Sequence, residues 1–75
     1  MKIVILVDYS NKEFNKDFIL SNKLISSGHN VFLAVNIDQF LELKKNCDHA
    51  VLGVSANKLD LKYPSVGELD IFLDK

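Results

Sequence analysis

The stretch KIVILV, Lys2–Val7, is the longest of three candidate strand segments in the chain, is apolar after its first residue and is followed by a carboxylate, Asp8. It is rich in β-branched residues, and a continuous apolar run of this length is typical of a strand covered on both faces of a parallel sheet. Two further runs, Val31–Val35 and Ala50–Val54, have the same character. We therefore predict three buried parallel strands, and the length of the first run favours it as the central one.

Helical patterns separate these strands. Ser10 and Glu13 have the spacing of a capping box, which predicts a helix from about Asn11 to Ser27 that stops at Gly28. Its predicted buried stripe consists of four residues at helical spacing, flanked by Leu20 and Leu24: Phe14, Phe18, Ser21 and Ile25.

A second, shorter helix is predicted after the second strand. Asn36 and Gln39 repeat the capping-box spacing, and the apolar positions run out near Lys45. A third box, Ser65 with Glu68, predicts a short last helix over Val66–Leu73, although partial alternation there leaves a strand open.

The pattern β-α-β-α-β predicts an α/β fold, a small three-stranded parallel sheet of Rossmann or flavodoxin-like type with two or three helices. Residues 1–75 form one domain, with a core at 2–54 and a loop and short helix at 55–75. Strand order stays open. Order 3-2-1 leaves one sheet face bare, as in a fragment or an obligate oligomer. Order 2-1-3 places helices on both faces and strand 1 at the centre.

The composition excludes several classes of protein. The 75 residues are 48% hydrophobic, carry a net charge of −1 and include one cysteine. This excludes a disordered tail, a basic nucleic-acid arm and a disulfide framework. No run approaches the roughly 20 apolar residues of a membrane span, and the first run is too short for a signal peptide. A cytoplasmic location is therefore expected.

Polar residues at the carboxyl end of the first strand are the predicted ligand site, because open α/β sheets bind ligands at that edge. The predicted ligand-binding residues are Asp8, Tyr9, Ser10, Asn11, Lys12 and Ser55. The loop Asp8–Lys12 has no glycine, which argues against a dinucleotide fingerprint or a P-loop, so no cofactor is predicted. Cys47 and His49 lack a second ligand pair, so no metal site is predicted. No catalytic residue is assigned, because no complete catalytic set is present.

Four segments resemble the N-terminus of bacterial surface-carbohydrate (polysaccharide) biosynthesis proteins, which look like glycosyltransferases of the two-Rossmann (GT-B) type. They are ILVD (Ile5–Asp8), NKEFN (Asn11–Asn15), LISSGHNV (Leu24–Val31) and CDHAVLG (Cys47–Gly53). The resemblance covers residues 2–54. It implies an acceptor-side module, because in that fold the N-terminal domain mainly binds the acceptor and the C-terminal domain mainly binds the nucleotide-sugar donor.

The resemblance also implies that this chain spans roughly half of such a first domain and lacks the donor site. The hypothesis is a non-catalytic Rossmann-like module, either an excised piece or a stand-alone relative, that grips a sugar or another polar acceptor by hydrogen bonds. Any enzyme it belonged to would be a glycosyltransferase. The alternative is a small oligomerisation or protein-interaction module whose sheet edge or bare sheet face pairs with a second copy.

Gly53, near the end of the third predicted strand, indicates one of two things. Either a backbone or a ligand approaches closely there, or the glycine makes room for a helix side chain.

Overall fold

A computed structural model describes residues 1–56, 59 and 61–65 of the chain. These residues form three parallel strands and two helices. In chain order the elements are β1 (Lys2–Leu6), α1 (Phe14–Ser26), β2 (Asn30–Ala34), α2 (Ile37–Lys44) and β3 (His49–Leu52). The predicted α/β class and the three-stranded parallel sheet are confirmed.

The strand order is β2-β1-β3, with β1 at the centre. Of the two orders left open by the sequence, this is 2-1-3. Ile5 of β1 pairs with Leu33 on one side and Val51 on the other. Alternate residues of a strand point to opposite faces, so β1 supplies both halves of the core.

Each sheet face is covered by one helix. Ile3, Ile5 and Val7 pack with Leu24 of α1 on one face. On the other, Val4 and Leu6 pack with Phe40 of α2, and the half-buried Cys47 lies at the margin of this cluster. The bare face that order 3-2-1 would leave is therefore absent from the described part of the chain.

The start of α1 differs from the prediction. Ser10 does not cap the helix. Its hydroxyl and its backbone N–H both donate to the Asp8 carboxylate, and the N–H of Glu13, from which a capping hydroxyl would accept, has another partner. Asn11 accepts this hydrogen bond in place of Ser10: its side-chain oxygen accepts from the N–H of Glu13 at 3.0 Å. The helix consequently begins at Phe14 rather than Asn11.

The buried stripe of α1 is also rotated from the predicted one. Its buried residues are Asp17, Ser21 and Leu24. Ser21 was predicted in the stripe and Leu24 beside it, but Asp17 was not predicted and the predicted Ile25 is 52% exposed. The prediction placed the apolar residues on the buried face. α1 instead buries Asp17, because the carboxylate of Asp17 accepts hydrogen bonds from the segment after β3.

Two predicted helix ends are confirmed. Gly28 ends α1 with a φ of 93°, and the N–H groups of Gly28 and His29 donate to Ile25 and Leu24 in the arrangement of a Schellman motif. Asn36 caps α2 by accepting from the N–H of Gln39 at 2.8 Å.

The two outer strands differ in their surroundings. The run Val31–Val35 was predicted to be buried, but Phe32 and Val35 are 39% and 50% exposed, and β2 lies at the edge of the described sheet. β3 has a neighbour on its outer side, since the N–H of Leu52 donates to Pro64 and Leu52 forms a parallel bridge with Ser65. The predicted helix Val66–Leu73 lies outside the described residues.

Candidate functional site

The candidate site lies at the carboxyl edge of the sheet, where two loops meet the first turn of α1. We call residues Asp8–Lys12 the β1 loop and residues Gly53–Ala56 the β3 loop. In open α/β sheets this edge is where ligands bind. The polar side chains predicted from the sequence lie here, so their hydrogen bonds decide which groups are available to a ligand.

Asp17 joins α1 to the β3 loop. Its carboxylate is fully buried and accepts three hydrogen bonds: from the N–H of Val54 at 2.6 Å, from the N–H of Ser55 at 3.1 Å and from the Ser55 hydroxyl at 2.5 Å. The position in the first turn of α1 also suits a negative charge, because the helix dipole is positive there. Buried carboxylates are retained where such donors surround them.

Gly53 is the residue that lets Asp17 approach. A Cβ on Gly53 would lie 2.6 to 2.8 Å from the carboxylate atoms of Asp17, closer than side-chain carbons come to other atoms in proteins. Of the two interpretations offered by the sequence, room for a helix side chain is therefore confirmed.

Ser55 connects the β3 loop to the β1 loop. It is buried, its hydroxyl donates to Asp17, and the same oxygen accepts from the N–H of Asp8 at 2.8 Å. Its carbonyl oxygen accepts from the Asn11 side chain at 3.1 Å. Ser55 thus holds the β1 loop in place through its hydrogen bonds with Asp8 and Asn11. Direct contact between Ser55 and a ligand stays a prediction.

Asp8 presents the carboxylate of the site. The Ser10 hydroxyl at 2.5 Å and the Ser10 N–H at 3.0 Å donate to its Oδ1. These hydrogen bonds, the hydroxyl first, hold the pKa of the Asp8 carboxyl below its ordinary value of 3.8, against a smaller opposing effect of desolvation. Among the described residues nothing donates to Oδ2, so this oxygen is available as an acceptor.

The remaining predicted residues have different surroundings. Asp8, Ser10, Asn11 and Lys12 line one polar cleft of about 510 Å³ together with Glu13. Tyr9 is not part of that lining, although it is half-exposed. Its ring packs on the rings of Phe14 and Phe18, with centroids 5.6 and 5.7 Å away.

Asp8 also borders a second cleft. This cleft, of about 280 Å³, lies between the carboxyl ends of β1 and β2 and the start of α2. Its lining is mainly apolar: Leu6, Val7, Asp8, Val35, Asn36, Ile37 and Leu59. Asp8 therefore lines both a polar and an apolar depression.

Asp17 is the residue that sequence reasoning missed. Two signals pointed to it: an acidic residue four positions before Ser21 on the inward stripe, and a glycine two positions before Ser55 where the third strand ends. An acid on a buried face needs donors, and a glycine at a strand exit provides space and free backbone N–H groups.

Comparison of the chain with protein families, with curated proteins and with solved structures finds no match in any of the three. In the described part of the chain, neither helix has the length and apolar character needed to cross a membrane. Nor do the described residues include a group of three or more His, Cys, Asp or Glu side chains placed to bind a metal ion. Function is therefore inferred from the geometry of the two clefts.

Removal of the Ser10 hydroxyl is expected to raise the pKa of Asp8 toward 3.8, because the Ser10 hydroxyl is the larger cause of its lowering. In Ser10→Ala, a titration followed by the carboxyl carbon signal of Asp8 should move to higher pH. Ser27→Ala is the matched control, since the Ser27 hydroxyl donates to a helix carbonyl far from Asp8. A lowered folded pKa stabilises the protein above the unfolded pKa, and that stabilisation is lost as pH falls through the folded value. An Asp8 midpoint that is unchanged in Ser10→Ala would contradict this assignment.

Proposed function

We propose that this chain is a non-catalytic Rossmann-like module that binds a hydroxyl-rich ligand, such as a sugar, at the β1 loop. The role corresponds to the acceptor-side part of a surface-carbohydrate glycosyltransferase. The observation that carries the proposal is the Asp8 carboxylate. Asp8 follows the central strand and lines the polar cleft, one of its carboxylate oxygens accepts from Ser10, and the other has no donor among the described residues.

The charges around the cleft favour a neutral ligand. Asp8 and Glu13 are acidic and Lys12 is basic, so the lining does not gather positive charge for a phosphate. Arg, the side chain best suited to grip phosphate in two places, does not occur in the sequence. Sugar hydroxyls both donate and accept, and they match an ionised carboxylate beside an ammonium and a serine hydroxyl.

The hydrogen bonds beneath the loop support binding by a preorganised surface. Asn11 uses its side-chain oxygen for Glu13 and its side-chain N–H for Ser55, so it shapes the loop rather than reaching outward. Ser55 is in turn held by Asp17. A loop fixed in this way loses little conformational freedom when a ligand binds, which favours affinity.

Asp8→Asn tests the proposal directly. We expect methyl glycosides of glucose, galactose and N-acetylglucosamine to produce saturable NMR shifts in the β1 loop of the wild-type protein. For the sugar that binds best, Asp8→Asn should weaken affinity roughly tenfold to a hundredfold, because a hydrogen bond to a charged group contributes about 1.5–3 kcal/mol.

Glu42→Gln is the control for this experiment. It removes one carboxylate at an exposed position of α2 whose only partner among the described residues is the exposed Lys45. Its affinity should equal that of the wild type. The sugar-binding proposal would be wrong if none of the glycosides bound, or if Asp8→Asn and Glu42→Gln bound equally well.

A second candidate function is self-association through the β2 edge. Asn30 donates to Met1, so the alternate residues Val31 and Leu33 direct their backbone groups away from β1. β2 contains no charged residue and no proline, the features that usually protect an edge, and Phe32 is 39% exposed. The outer side of β3, by contrast, is partly occupied by Pro64 and Ser65.

Phe32→Lys tests this candidate, because a lysine on an edge strand opposes pairing with a second copy. If β2 is an interface, light scattering over a dilution series should give a dimer for the wild type and a monomer for Phe32→Lys. Ile19→Lys, at a more exposed apolar position on α1, should remain dimeric. A wild-type monomer at the highest concentration would exclude the β2 interface.

A further inference from the structure

Three apolar side chains surround the cleft between β1 and β2 and remain open to solvent. Val35 is 50% exposed, Ile37 is 42% exposed and Leu59 is 37% exposed. They come from the end of β2, the start of α2 and the segment after the β3 loop, so separate parts of the chain bring them to one place. Leaving such groups in water is unfavourable, and their convergence marks a surface suited to an apolar ligand group.

The walls of this cleft are held by specific hydrogen bonds. The N–H of Val35 donates to the side-chain oxygen of Gln39 at 2.9 Å, and the Asn36 side chain accepts from the N–H of Gln39. The N–H of Leu59 donates to Ala56 at 3.0 Å. The floor is formed by the buried Leu6 and Val7. The depression is therefore shaped before any ligand arrives.

The polar groups at the cleft limit what it accepts. Asp8 and Asn36 are its polar lining residues, and no Lys, Arg or His lies among the lining residues described. Among these described lining residues, an anionic ligand would meet the Asp8 carboxylate and no positive charge. The cleft suits an uncharged apolar group whose polar end lies toward Asp8.

We propose that the ligand is amphipathic: an uncharged glycoside whose hydroxyls lie at the β1 loop and whose alkyl or aryl group lies against Val35, Ile37 and Leu59. This inference rests on the proposed sugar-binding function and specifies the ligand class of the same site. It follows from the position of Asp8, which borders the polar cleft on one side and the apolar cleft on the other.

The test compares methyl, propyl and hexyl β-D-glucosides, each titrated below its micellar concentration and followed by NMR. Burial of one methylene strengthens binding by about fourfold, and an open cleft covers only part of the chain. We expect hexyl glucoside to bind the wild type roughly tenfold more tightly than methyl glucoside. In Ile37→Gln the gain in affinity from methyl to hexyl glucoside should fall below about threefold, while the affinity for methyl glucoside itself stays unchanged.

Two further variants serve as a second test of the cleft and as a control outside it. Val35→Thr changes a second wall of the cleft at a half-exposed position, so the test does not depend on the folding of one variant. Ile19→Gln changes an apolar residue on α1 that is 70% exposed and outside the cleft, and it should keep the full tenfold gain.

The outcomes separate this inference from the proposed function. Methyl glucoside that binds at Asp8, with no gain from the longer chain, overturns the amphipathic ligand and leaves the sugar site intact. A tenfold gain that persists in both Ile37→Gln and Val35→Thr also overturns it. Hexyl glucoside that binds equally well to Asp8→Asn shows an apolar site without a sugar site and overturns both, as does the failure of every glucoside to bind.

Discussion

Gly53→Ala is expected to destabilise the protein by about 3 kcal/mol or more. Overpacking a close contact costs about 1–3 kcal/mol, and displacing the Asp17 carboxylate also weakens its hydrogen bonds to buried donors, at about 1–3 kcal/mol. The added methyl would lie 2.6 to 2.8 Å from the carboxylate atoms. A domain of this length has roughly 4–11 kcal/mol of stability in total, so the loss is a large fraction of it. Thermal unfolding followed by circular dichroism should show Tm lower by roughly 15 °C.

Gly28→Ala is the matched control for this substitution. Gly28 has a φ of 93° and nothing within 4 Å of an added Cβ, so the change costs only backbone strain, about 1–2 kcal/mol. A double variant identifies the cause. In an Asp17→Ala background the methyl at Gly53 should cost much less, because the atoms that it meets are gone. A Gly53→Ala variant as stable as the wild type would refute the close approach of Asp17.

Asp17→Asn is expected to cost about 3 kcal/mol although it changes neither size nor shape. The carboxylate accepts from two backbone N–H groups and one hydroxyl, all donors. An asparagine turns an NH₂ group toward one of these donors, which leaves a buried donor without an acceptor, and hydrogen bonds to a charged acceptor contribute about 1.5–3 kcal/mol each. Urea unfolding should show a lower midpoint with an unchanged slope.

Asp38→Asn is the control, because Asp38 also lies in the first turn of a helix but is exposed. It loses only the interaction with the helix dipole, about 0.3–1 kcal/mol. Asp17→Asn should in addition weaken sugar binding, because the Ser55 hydroxyl that donates to Asp17 also accepts from the N–H of Asp8 and so positions the β1 loop. Equal stability losses in Asp17→Asn and Asp38→Asn would contradict the buried network.

The features predicted correctly from the sequence are those encoded locally. The apolar run Lys2–Val7 indicated a central strand because a strand covered on both faces needs no polar residues. Gly28 and Asn36 marked helix ends because left-handed backbone and side-chain capping depend on one residue and its near neighbours.

The errors arose where a side chain has an alternative hydrogen-bond partner, either two residues away or in a distant segment. Ser10 has a capping partner at the right spacing, but the nearer Asp8 carboxylate takes both of its donors. Ile25 is apolar and at helical spacing, yet it is exposed because α1 is rotated to bury Asp17. The partners of Asp17 are 37 and 38 residues away along the chain, and no local pattern specifies such a pairing.

Of the candidate site, the sequence indicated the acidic end of β1 and the proximity of Ser55. Parallel strands end at the same edge of a sheet, so Asp8 and Ser55 were expected there together. The direction of each hydrogen bond was not predictable. The structure uses Ser55 and Asn11 to hold the loop from within, and leaves Asp8 and Lys12 as the outward groups.

The sugar site that we propose lies at Asp8 in the β1 loop, which Ser55 and Asp17 hold in place. The most direct measurement is a map of backbone amide NMR shifts during titration of the wild-type protein with a glycoside. We expect saturable shifts concentrated at Asp8–Lys12 and the β3 loop, with little change at the exposed end of α2 near Glu42. Shifts spread evenly over the surface, or concentrated along β2 with no effect at Asp8, would contradict it.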